Sequence, residues 1–74
     1  MKAEEVLHLI YTILSMVERE VSLISSHVKD LHKNLNDFDE RTLRIYVTNL
    51  IYRTETTVKL LNRVLELLGE NLPT

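Results

Sequence analysis

Apolar residues recur along the first half of the chain at Ala3, Leu7, Ile10, Leu14, Val17, Val21, Ile24, Val28, Leu31, Leu35 and Phe38, alternately four and three residues apart. A strand would alternate every second residue. This spacing is an unbroken heptad seam, with Leu7, Leu14, Val21, Val28 and Leu35 at one core position and the remainder at the other. It predicts a helix from about residue 3 to residue 35. The second half repeats the rhythm at Val47, Ile51, Thr54, Val58, Leu61, Leu65, Leu68 and Leu72, with Thr54 the only polar member. A second helix is expected over about 39–68, because Gly69 suits a left-handed closing position and Pro73 cannot continue the coil.

The segment between them is Asn34-Leu35-Asn36-Asp37-Phe38-Asp39-Glu40. Asn34 or Asn36 can take the left-handed conformation that ends the first helix. Two N-caps compete for the second. Asp37 with Glu40 makes an acidic capping box, whereas Asp39 places Phe38 and Leu43 at the two ends of a hydrophobic staple. The staple favours Asp39. A turn this short makes the helices antiparallel, each about 45 Å long. The fold class is therefore all-α, an antiparallel two-helix hairpin forming a single domain over 1–74.

A hairpin needs one apolar stripe per helix, and here there are more. Val6, Leu9, Ile13, Met16 and Leu23 form a second stripe on the first helix, interrupted at Glu20 and turning polar at His27, Asp30 and Asn34. Leu60, Val64 and Leu67 flank the seam of the second helix. Antiparallel pairing sets Ile13 level with Leu60 and Val6 level with Leu67, so the surplus gathers near the termini. Such a surface is costly to leave wet. Val6, Leu9, Ile13, Met16, Leu60 and Leu67 are accordingly expected to be an interface. A second copy, giving a two-fold four-helix bundle, is the expected occupant, ahead of a helix from another protein.

Composition supports partnering. A chain of 74 residues with no cysteine has a marginal core and no disulfide to reinforce it. The absence of cysteine fits the cytoplasm, the expected location. Nine basic against eleven acidic residues leave a net charge of −2, which argues against nucleic acid or an anionic membrane as main partner. No apolar run approaches the roughly 20 residues that span a bilayer. The acids Glu4 and Glu5 stand where a secretory signal would be basic.

Candidate chemistry is sparse. Glu5 and His8 have the Glu-x-x-His spacing of carboxylate-bridged metal bundles, with Glu66 or Glu70 level with them, but they fall on the solvent side of the seam. His27 and His32 are five apart and do not share a helix face. Thr54 and Thr57 could form a polar layer, or simply bond back to the preceding turn. Arg19, Lys29, Lys33, Arg41, Arg44, Arg53, Lys59 and Arg63 could line a nucleic-acid face, yet Asp30, Asp37, Asp39 and Glu40 offset the bases around the turn. No catalytic triad, phosphate loop or core carboxylate pair is visible. The expected function is a non-catalytic interaction module without cofactor: a homodimeric hairpin acting as scaffold, adaptor or small chaperone. A nucleic-acid-binding hairpin dimer and a metal-dependent bundle enzyme are the alternatives.

Overall fold

The computed structural model describes residues 3–71. Two helices, α1 (Ala3–Lys33) and α2 (Glu40–Asn71), are joined by a 3-10 turn at Leu35–Asp37. They pack side by side into a rod of 52 × 15 × 15 Å. Its radius of gyration, 16.8 Å, far exceeds the roughly 11 Å of a compact chain this long. Leu72, expected at the end of the second seam, lies outside the described residues.

Helix α2 begins at the preferred one of the two expected caps. The Asp39 carboxylate accepts the Thr42 backbone N–H at 2.7 Å, and the Asp39 carbonyl accepts the N–H of Leu43 at 3.0 Å. Asp39 is thus the N-cap. Phe38 sits against Tyr46, ring centroids 5.0 Å apart, which anchors the turn on the side of α2. Helix α1 ends without a left-handed residue: Asn34 has φ −112°, and its side-chain amide donates to the Asp30 carbonyl at 3.1 Å. Gly69 corrects the expected end of α2. It has no positive φ, and the helix runs through it to Asn71, because Glu70 and Asn71 remain compatible with a helical turn.

The Asp39 cap has a pH signature. Hydrogen bonds from the Thr42 backbone N–H, then from its side chain, hold the Asp39 carboxyl below its ordinary value of 3.8. A carboxyl whose folded pKa is depressed stabilises the fold above its unfolded pKa and loses that contribution as pH falls through the folded pKa. Asp39→Ala should therefore lower the melting temperature at pH 7. The difference from wild type should shrink in melts taken progressively below pH 3.8, as the wild-type carboxylate is lost on passing through its depressed pKa. Equal loss at both pH values would show that the charge is not what caps the helix.

The interior of the hairpin is built differently from the seam. Val6, Ile10, Ile13, Val64 and Leu67 form the buried core, with Leu9, Leu60 and Leu68 packed against it. Along α1 the inward row continues through the half-buried Val17, Glu20, Ile24 and His27 to the buried Leu31. Along α2 it comprises Leu43, Leu50, Arg53, Thr57, Leu60, Val64 and Leu67. Of the seam expected on α1, Ile10, Val17, Ile24 and Leu31 face inward, while Leu7, Leu14, Val21 and Val28 remain exposed. Of that on α2, Val47, Ile51, Thr54, Val58, Leu61 and Leu65 are all exposed and Leu68 is half-buried. Each helix is thus turned so that the opposite border of its apolar arc meets its mate.

The reason lies in the polar breaks of the inward rows. Glu20 interrupts the row on α1 and Arg53 that on α2. They stand level across the hairpin, and the Arg53 guanidinium donates to the Glu20 carboxylate at 3.3 Å. Turned the other way, both charges would leave the helix contact and lose this pairing. Next to Arg53, the buried Thr57 hydroxyl donates to the Arg53 carbonyl at 2.9 Å, so its burial leaves no hydroxyl unsatisfied.

Candidate interaction face

Helical geometry decides where the displaced seam goes. In α1 the residues Leu7, Leu14, Val21 and Val28 each follow an inward residue by one position, about 100° around the helix. In α2 the same step leads from Arg53 and Leu60 to Thr54 and Leu61, with Val47 one heptad earlier in line with them, and from Leu50, Thr57 and Val64 to Ile51, Val58 and Leu65. Because the helices are antiparallel, equal rotations in the chain direction carry both sets to the same side. The hairpin therefore presents an apolar face over most of its length, bordered along α1 by Tyr11, Glu18, Ser25 and His32, to which the same step leads from Ile10, Val17, Ile24 and Leu31. Its members are substantially exposed: Leu7 is 57% accessible, Val21 51%, Ile51 52% and Leu65 64%.

The opposite side is mixed. There α1 shows Met16 and Leu23 among Glu5, Thr12, Arg19, Ser26 and Asp30, and α2 shows Asn49, Thr56, Lys59, Arg63 and Glu66 beside Ile45 and Tyr52. Apolar side chains are scattered on this side and contiguous on the other.

The area is large as well. The chain leaves 6115 Å² accessible, about 1,400 Å² more than the roughly 4,700 Å² expected of a compact monomer of its mass. Each partner in a standard interface contributes about 800 Å².

The residues expected to form an interface are placed otherwise. Val6, Ile13 and Leu67 are buried inside the hairpin, and Leu60 and Leu9 pack against that core; Met16 alone is exposed, on the mixed side. The stripe they define is the intramolecular contact, since this is the border of each arc that Glu20 and Arg53 turn inward. The exposed apolar face is made instead of the outward half of the α1 seam, Leu7, Leu14, Val21 and Val28, and most of the α2 seam.

Other candidates are accounted for locally. Glu5 and His8 are exposed on α1, and the described residues contain no group of three His, Asp or Glu side chains that could hold a metal ion. His27 is half-buried and His32 exposed. Thr54 donates its hydroxyl to the Leu50 carbonyl at 2.8 Å, leaving its methyl available to the apolar face. Among the basic residues, Arg44 pairs with Glu40 at 2.9 Å, Arg63 with Glu66 at 3.0 Å and Glu70 at 3.8 Å, and Arg53 with Glu20. A shallow open depression is lined by Glu40, Leu43, Arg44, Val47 and Thr48, all near the start of α2. No described helix is long and apolar enough to cross a membrane.

No protein-family model matches the chain, and neither a curated protein nor a solved structure shows significant similarity to it.

Proposed function

We propose that this chain is a non-catalytic protein–protein interaction module whose apolar face docks a second copy, giving a homodimeric four-helix bundle that serves as scaffold, adaptor or small chaperone. One observation carries the reading: the exposed row Leu7, Leu14, Val21 and Val28 lies on the same side as Val47, Ile51, Val58, Leu61 and Leu65. A face of this length and continuity is rare on a monomer. A second copy supplies an identical face, and a two-fold pair buries both at once. Each chain's surplus of surface suffices for a stable interface. The cytoplasmic location expected from the lack of cysteine belongs to the same proposal.

Folding and association are then linked, so the melting temperature should rise with protein concentration. Tenfold dilution series followed by circular dichroism test this. Melting that is independent of concentration from micromolar to millimolar would contradict the dimer.

A further inference from the structure

The apolar face also carries information about how the second copy lies on it, an inference that rests on the dimer proposed above. A two-fold pair of hairpins packed face to face has two arrangements. With the axis along the helices, both turns lie at the same end and α1 covers the second copy's α2. With the axis across the helices, the turns lie at opposite ends, α1 covers α1 and α2 covers α2.

The α1 row Leu7, Leu14, Val21 and Val28 has equal steps and is symmetric about the midpoint of residues 14 and 21. The α2 row Val47, Ile51, Thr54, Val58, Leu61 and Leu65 reads with the same steps from either end and is symmetric about residue 56. The Glu20–Arg53 pair fixes the relative level of the helices, and on that scale the two midpoints coincide along the rod to within about one residue's rise, ~1.5 Å. A crosswise axis through this level therefore brings both rows into register with their copies simultaneously.

Side-chain volume separates the arrangements. Leucines cluster toward the open end at Leu7, Leu14, Leu61 and Leu65, with the smaller Val58 among them, and smaller members toward the turn at Val21, Val28, Val47 and Thr54, with Ile51 among them. Turns together would stack leucine on leucine at one end and valine on valine or threonine at the other. A layer of uneven thickness leaves voids or strain in a close-packed interior. Turns apart would set Leu7 against the second copy's Val28, Leu14 against Val21, Val47 against Leu65, Ile51 against Leu61 and Thr54 against Val58, which evens out the two ends and leaves the smallest pair at mid-length.

We propose that two copies pack face to face with their turns at opposite ends, α1 on α1 and α2 on α2, about a two-fold axis crossing the hairpin at mid-length.

The chain has no cysteine, so Asn36→Cys at the exposed turn accepts one nitroxide label per chain. Pulsed dipolar spectroscopy on the labelled protein, with its mass measured by sedimentation, reads the arrangement. A dimer with labels separated by about the 52 Å length of the rod is the expected result. A dimer with labels within about 25 Å would overturn the arrangement while leaving the dimer intact; the helix-to-helix spacing of roughly 10 Å plus the label arms sets that figure. A monomer mass would overturn the dimer itself, and the arrangement with it.

Discussion

Leu67→Asp is expected to unfold the chain. Leu67 is 2% exposed and lies in the core with Val6, Ile10, Ile13 and Val64, where a carboxylate would be withdrawn from water among apolar side chains. The milder Leu67→Ala should cost about 2–5 kcal/mol through lost burial and residual cavity. A chain this short has a total stability of that order, so loss of most helical circular dichroism at 37 °C is expected even for alanine. Wild-type helicity and melting in Leu67→Asp would show that the hairpin does not pack on this row.

The second large effect belongs to the outward face. Leu14→Glu combined with Leu61→Glu places two charges per chain on the face assigned to the second copy, yet outside the hairpin core. Glutamate is a good helix former, so any helicity the isolated hairpin holds is not disturbed by propensity. Burying these charges unpaired in a dimer would cost several kcal/mol, on the order of a thousandfold in association. The double variant should sediment as a monomer and lose the concentration dependence of its melting. Met16→Glu with Tyr52→Glu, on the mixed side, is the control and should remain dimeric. If the control dissociates and the first variant does not, the partner docks on the other side.

These variants also mark what the sequence made legible. The heptad spacing predicted two antiparallel helices, and both formed within a few residues of their expected bounds. Asp39 was identifiable as the N-cap because only that choice gave Phe38 an apolar neighbour; in the structure the neighbour with a ring contact is Tyr46. The back-bonding of Thr54 and Thr57 to the preceding turn was foreseeable from the usual behaviour of threonine in helices. The rotation of each helix about its axis was not. An apolar arc spanning three heptad positions has two borders, and periodicity does not say which one meets the mate. By the seam alone, Val21→Asp and Leu61→Asp place a charge in the hairpin core. In the structure these residues are 51% and 41% exposed, and such variants should disturb association rather than the hairpin.

The signal that decides the rotation was present. Glu20 and Arg53 are the charged interruptions of the weaker stripes, and antiparallel pairing sets them level. Two opposite charges on facing stripes mark the stripes that meet, because one ion pair then satisfies both. The end of α2 was misread for a different reason. Glycine permits the left-handed closing turn but does not impose it, and Gly69 lies in a helix with no contact to any side chain within 4 Å of where its Cβ would be.

Sedimentation equilibrium of the unmodified chain across micromolar concentrations tests the central claim most directly, that the outward seam is covered by a second copy. The account predicts a mass twice the 8.7 kDa of the chain, falling toward the single-chain mass only on extensive dilution. A mass of 8.7 kDa throughout, with full helicity retained, would contradict it.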